Sequence, residues 1–158
     1  MRFGATRYGD VAFDIRPFEE SDRQAVVDLW LDAFPGEPPY NASDEMIDRK
    51  LRVQPELFLV AIADGTVVGK VMAGYDGVRG WIHRLAVRGS ARRTGVGTAL
   101  LRAAEAGLQA MGCPKVNLQV RARNAAVVAF YEAAGYRVED NISMARHVGQ
   151  ATGEGDRR

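Results

Sequence analysis

The stretch Arg92-Arg93-Thr94-Gly95-Val96-Gly97-Thr98-Ala99 stands where an alternating, strand-like pattern gives way to a helical one. A helix start presents several backbone N–H groups that have no intrahelical acceptor, together with the positive end of the helix dipole, so it suits a phosphate. Glycines at 95 and 97 let oxygens approach the backbone without meeting a Cβ. Taken alone, Gly-x-Gly is a weak signal that also fits a tightly packed helix start. Two other phosphate-binding loops fail on spacing. A nucleoside-triphosphate loop needs Gly-Lys-Ser/Thr, and the one Gly-Lys pair, Gly69-Lys70, runs on into Val71 within a strand pattern. A dinucleotide fingerprint needs a small residue where Leu100 stands, and an acid at the end of the next strand, where Asn117 to Arg121 offers none.

Two further side chains could move protons. Tyr131 carries a phenol of reference pKa about 10, protonated at neutral pH and able to give its proton to a leaving group. Phe130 and Tyr131 equally suit the apolar face of a short helix. His83, with a reference pKa of about 6.5, suits a base, and strand alternation puts it on the same side as Trp81 and Leu85. Asp76 and Glu37, both on loops, are weaker candidates because loop carboxylates are usually solvated. Cys113, beside Pro114 at a helix end, has no histidine near it in sequence and reads as a structural thiol. His83 and His147 are the only histidines, so no metal-ligand spacing exists and no metal is expected.

The elements that must position these residues follow from pattern. Ala12 to Arg16 alternates and meets Pro17, which predicts a first strand at a sheet edge; the ten residues before Val11 lack periodicity. Ser21-Asp22-Arg23-Gln24 has the form of a capping box and opens a helix from about Ser21 to Ala33. Pro35 to Pro39 is a loop, and Ser43 caps a second, half-exposed helix through about Val53. Leu57 to Ile62 and Thr66 to Met72, joined by Asp64-Gly65, form an antiparallel hairpin at the centre of a sheet. Trp81 to Val87 is the next strand, and the helix after the glycine loop runs from Val96 to Met111, stopped by Gly112 and Pro114. Lys115 to Arg121 is a strand parallel to Trp81–Val87 through one βαβ unit. Asn124 caps a helix over Ala125 to Ala134, ended by Gly135, and Tyr136–Val138 and Ile142–Ala145 are closing strands.

Composition sets the frame. With 158 residues, 47% of them hydrophobic and 26% charged, the chain fits one α/β domain, residues 1–148, followed by a polar, disordered tail, 149–158. Twenty-one basic against 20 acidic residues is too even for the electrostatic footprint of a nucleic-acid or membrane-surface binder, so neither partner is expected. No apolar stretch approaches the ~20 residues that span a bilayer, and no apolar segment follows the N-terminal arginines, so a cytoplasmic protein is expected.

In its loop and in the segment that follows, the sequence resembles the GNAT acetyltransferases. Arg92 through Gly97 fits every position of that family's Arg/Gln-x-x-Gly-x-Gly/Ala loop. Asn124 followed by Phe130-Tyr131-Glu132-Ala133-Ala134-Gly135-Tyr136 is similar to its Asn…Tyr-Glu-x-x-Gly-Phe/Tyr segment. The resemblance covers roughly residues 11 to 147, and Phe58–Ala61, Val71–Gly80 and Gly112–Lys115 look most like the YpeA-type branch. It implies a mixed, twisted sheet of six to seven strands with about four helices, in which the strands ending near Val87 and Asn117 splay apart to admit acetyl-CoA. The amides of Arg93, Thr94, Gly95, Val96, Gly97 and Thr98 would hold the pyrophosphate. The Leu85-Ala86-Val87 strand would bond the pantetheine arm, chiefly through the main chain of Leu85 and Val87, and Asn124 would touch the pantetheine side. Arg88, Arg92 and Arg93 would attract the 3′-phosphate. Tyr131 would be the acid that protonates the departing thiolate.

The chain departs from the family at the base. Trp81 and Gln119 stand about where relatives carry glutamates, which leaves His83, a water relay or solvent, and Gly89 replaces a frequent proline. The implied reaction is direct acetyl transfer, without a covalent enzyme intermediate, to a primary amine of a small molecule or peptide. Alternatives are an N-terminal-amine acetyltransferase of the ribosomal-protein type, which Gln119 disfavours, and an acyl-CoA-binding regulatory module. A homodimer is in keeping with the family.

Overall fold

A computed structural model describes residues 3–8, 11–37 and 43–148. The chain divides into two compact units, Met1–Arg121 and Ala122–Arg158. In the first, six strands form one sheet in sequence order: β1 Phe3–Tyr8, β2 Val11–Pro17, β3 Phe58–Ala63, β4 Thr66–Tyr75, β5 Gly80–Val87 and β6 Val116–Asn117. The first four pairings are antiparallel, and β5 with β6 is parallel. The β3–β4 hairpin turns at Asp64 and Gly65, both at positive φ, and lies at the sheet's centre as expected.

Helices α1 (Arg23–Ala33), α2 (Ser43–Leu51) and α3 (Val96–Ala110) belong to the same unit. Neighbouring β4 residues show the layering, because successive strand residues point to opposite faces. A Cβ on Gly69 would lie 2.8 Å from Leu100 and 2.9 Å from Val96, so α3 starts hard against one face. Next to it, Lys70 packs on Trp30 of α1, on the other face. The core on that side gathers Phe18, Val26, Leu29, Trp30, Ile47, Phe58, Val60, Met72 and Ala86. In the second unit, α4 (Ala125–Ala133) begins where the Asn124 side chain accepts the Val127 N–H at 3.3 Å, and it ends before Gly135 at φ 98°.

Several expectations are corrected. The strand ending at Pro17 is not at the edge, since β1, which shows no alternation in sequence, pairs with it on the outside. The α1 cap is not Ser21 with Gln24. A 3-10 turn, Glu20–Asp22, precedes the helix, and the Asp22 carboxylate accepts the Glu19 N–H at 2.8 Å. Asp22 also receives two hydrogen bonds from Arg16, 2.7 and 2.9 Å long, which ties β2 to the helix start. Burial alone would push the Asp22 carboxyl up; the Arg16 and Glu19 bonds outweigh it and hold it below the usual range. The second helix stops at Leu51 rather than Val53. The strand expected over Lys115 to Arg121 is reduced to two residues. Tyr136–Val138 and Ile142–Ala145 form no strand, and Ile142 and Met144 are about nine-tenths exposed (92% and 89%). Alternation alone does not make a strand without a neighbour to take its hydrogen bonds. The expected tail, 149–158, lies outside the described residues.

The core holds one anomaly. Lys70 is fully buried; its Nζ has no hydrogen-bond partner among the described residues and sits 3.5 Å from the centroid of the Trp30 ring. Burial, reinforced by the nearby Arg84 cation, holds its pKa well below the usual lysine value, although Glu37 acts in the opposite direction. A lysine whose folded pKa lies below its unfolded pKa of about 10.4 costs stability increasingly as pH falls from that value toward the folded one. Lys70→Met should therefore raise stability at pH 7 by about 1–3 kcal/mol, the usual cost of burying an unpaired polar group. The gain should shrink as the pH approaches 10, and urea unfolding at pH 7 and pH 10 checks both parts.

Candidate active site

The helix after the glycine loop begins without a side-chain cap. Its N-cap is Gly95, at φ 85°, and the first helical hydrogen bond runs from Ala99 N–H to the Gly95 carbonyl at 2.9 Å. The amides of Val96, Gly97 and Thr98 consequently have no intrahelical acceptor, and Gly95 has no side chain to cap them, an arrangement that suits an anion. Before it, Arg93 is held at φ 61°, and the Thr94 hydroxyl donates to the Ala91 carbonyl at 2.6 Å, which folds the loop back on itself. Two of the three arginines expected to draw a phosphate are tethered. Arg88 donates through Nε to the Val67 carbonyl at 3.2 Å and Arg92 through Nε to Val87 at 3.3 Å.

Strand β5 leads into this loop with a break in register. Met72 faces His83, but Lys70 faces Ala86, so Arg84 and Leu85 together oppose Val71, and Arg84 takes φ 55°. This is a β-bulge at a non-glycine residue. Its effect on the backbone can be counted. Gly80 N–H points toward β6, donating to Lys115 at 2.9 Å, whereas Arg88 N–H points toward β4, donating to Val68 at 2.8 Å. Strand amides point alternately to the two edges, so without the extra residue the even-numbered amides would all face β6. With it, the amides of Leu85 and Val87 face that side. On that side β6 pairs only through Gly80↔Val116 and Trp81↔Asn117. Beyond Trp81 the ladder to β6 ends, and Leu85 and Val87 present their amides to the edge it leaves unpaired, on the strand that leads to the uncapped α3.

The same bulge corrects the parity argument for His83. Trp81 and His83 do share a side, their rings stacked at 6.2 Å and 13°, but the alternation does not continue to Leu85. Ala86 instead joins the core with Trp30 and Met72. His83 keeps an exposed edge; partial burial, then the Arg84 and Lys50 cations, lower its pKa below the ordinary 6.5, so its imidazole is neutral at pH 7. The two loop acids are committed elsewhere. Asp76 accepts the N–H groups of Val78, Arg79 and the Trp81 indole, and these bonds, Arg79's first, hold it low and make it a poor base. Glu37 bridges Arg84 at 2.9 Å and Arg121 at 3.2 Å.

Pattern alone missed Arg84 and its partners, and the available signal was slight: a single arginine inside the apolar run of β5. Arg84 also stacks over Phe34 and Trp30, 5.2 and 5.7 Å from their centroids. Cys113 donates to the Lys115 carbonyl and fills the space a Gly80 Cβ would need, which is a packing role.

Tyr131 and Asn124 belong to the second unit. The Tyr131 ring is buried edge-on between Phe130 (5.1 Å) and Tyr136 (5.6 Å), and burial pushes its phenol up to about 12, so it keeps its proton at every physiological pH. The Asn124 side-chain oxygen serves as the α4 cap. Among the described residues no group of three or more His, Cys, Asp or Glu could hold a metal, and no helix is long and apolar enough to cross a membrane.

These features can be set beside known proteins. The model of the Acetyltransferase (GNAT) family matches residues 23–136. An acetyltransferase of Yersinia pestis (strain Pestoides F) is 42% identical over 137 residues, which is 85% of this chain and 95% of that protein. Among solved structures, Ard1 from Thermoplasma volcanium superposes with a TM-score of 0.73 at 29% identity, covering 82% of this chain and 85% of the other. The fold is also that of the aminoglycoside N-acetyltransferase AAC(6')-Iy in complex with CoA, with a TM-score of 0.73, 18% identity and coverage of 89% and 98%. The glycine-started helix after a strand with an unpaired edge is thus accompanied by similarity along most of the sequence, and the chain belongs to the GNAT acetyltransferase family.

Proposed function

We propose that the protein is an acetyl-CoA-dependent N-acetyltransferase that moves the acetyl group directly to a primary amine of a small molecule or peptide. The observation that carries this reading is the pairing of an uncapped, glycine-started helix with the outward amides of Leu85 and Val87 beside it. The first suits the pyrophosphate of CoA. The second suits the amides of a pantetheine arm and the oxygen of a thioester, where fixed N–H donors stabilise developing charge. The reading extends to one catalytic domain over residues 1–148, of the YpeA-type branch.

In this mechanism His83 takes the proton of the incoming ammonium, and the freed amine nitrogen attacks the thioester carbon. The β5 amides hold the resulting oxyanion. As the C–S bond breaks, the Tyr131 phenol gives its proton to the sulfur, the surplus proton on the new amide nitrogen restores the phenol, and His83 returns its own proton to solvent, leaving an N-acetyl amine and CoA thiol. Burial keeps the Tyr131 phenol protonated, so its proton is in place when charge develops on the sulfur. Asn124 and the amides of Arg93 to Thr98 complete the donor site.

Two outcomes test the assignment. Tyr131→Phe should lower kcat by about 100-fold or more, in the range of a lost general acid, with acetyl-CoA affinity retained; unchanged turnover removes the acid role. For His83 the wild-type kcat/KM should fall only below about pH 6.5, because the imidazole must be neutral to accept a proton. In His83→Gln only amine that is already neutral can react, so this acid limb should move upward toward the pKa of the acceptor amine. A limb that stays in place assigns the base elsewhere, and thiol release measured from pH 5 to 10 reads both profiles. A chain that binds acetyl-CoA but turns over no amine in a broad panel would be a binding module.

A further inference from the structure

The α1-side face of β5, where Trp81 and His83 stand, has its acids occupied and its cations in excess. The Glu37 carboxylate is shared by two guanidinium groups, Arg84 and Arg121. The Asp76 carboxylate is taken up by two backbone N–H groups and the Trp81 indole. On the donor side, the Arg121 side chain is 64% exposed and gives Glu37 one contact at 3.2 Å, which leaves N–H groups of its planar fork for a second anion. Lys50, at the end of α2, gives one ammonium proton to the Val53 carbonyl at 2.8 Å and lies beside Gly74 and the Gln54 side chain that clamps the Tyr75 backbone. Arg84 and Lys50 are the charges that act on His83, while Glu56 offsets part of Lys50.

We propose that this face reads a carboxylate: the acceptor is an amine that carries a carboxylate close by, of the amino-acid or short-peptide class, held by Arg121 and Lys50 with its nitrogen toward His83. A polyamine or other polycation would bring ammonium groups up to Arg84, Arg121 and Lys50, where Glu37 and Asp76 are already bonded and Glu56 offsets only part of Lys50, and like charges in that arrangement repel. The proposal rests on the acetyl-transfer reading and narrows its acceptor.

The test is acetyl-CoA turnover, followed as thiol release, with amines paired so that only the carboxylate differs: L-alanine with ethylamine, L-phenylalanine with phenethylamine, L-lysine with cadaverine, and spermidine as the polycation. In at least one pair the carboxylate-bearing member should have a kcat/KM at least tenfold higher. That preference should fall about tenfold or more, through KM, in a Lys50→Gln, Arg121→Gln double variant. Neither side chain is in the core, and an unchanged melting temperature verifies the fold of the variant. The inference is overturned if the carboxylate-free amines or spermidine are preferred throughout, or if the double variant keeps the preference. It is equally overturned if an enzyme that binds acetyl-CoA acetylates none of the carboxylate-bearing amines. Failure to bind acetyl-CoA at all, read by titration, overturns the transfer reading itself.

Discussion

The break in register at Arg84 is the constraint from which the site follows. A non-glycine residue at φ 55° costs on the order of 1 kcal/mol or more, and such a conformation persists only where its surroundings over-determine it. Here the side chain is fixed from two directions, by the ion pair to Glu37 and by the faces of Phe34 and Trp30. The extra residue turns the Leu85 and Val87 amides toward the edge that β6 leaves open, and it swings Ala86 into the core beneath α1. One local irregularity thus supplies both the donor row and the anchor of the following loop.

The same cluster binds separate elements together. Glu37 comes from the segment after α1, Arg84 from β5, and Arg121 from the chain beyond β6, so a single carboxylate ties three separate segments together. Lys70 lies under this cluster, in register with Ala86. In its neutral form it avoids repulsion with Arg84 while its nitrogen rests over the Trp30 ring. A charged Lys70 would oppose the arrangement that holds the bulge, which gives the unpaired amine a physical reason to lose its proton rather than to seek a partner.

What the sequence revealed depended on how far each signal extends. Helix α3 repeats its apolar positions over four turns, and Asp64-Gly65 specifies its turn locally, so both could be read directly. The glycine loop was readable because its residues are contiguous. Strand β1 has no alternation and exists through its pairing with β2, the strand that directly follows it, so its own pattern carries no signal. The closing strands failed for the opposite reason: Ile142 and Met144 alternate correctly but have no ladder neighbour. Parity broke at Arg84, since a bulge whose residue at positive φ is an arginine leaves no glycine to mark it. Glu37 and Arg121, 84 residues apart, meet only in the folded chain. For that reason the acids at 37 and 76 read as free loop carboxylates when each is engaged.

In the proposed function, backbone amides, those of the uncapped α3 start and of the outward β5 edge, bind the CoA moiety. Isothermal titration of the purified protein with acetyl-CoA, set against a Gly95→Asp, Gly97→Asp double variant of verified fold, is the decisive measurement. One-to-one binding by the wild type is expected, with its loss in the variant, where two carboxylates and two Cβ atoms occupy the phosphate position. Equal binding by both proteins would contradict the assignment of the loop, and no binding by the folded wild type would leave the family's fold without its donor site.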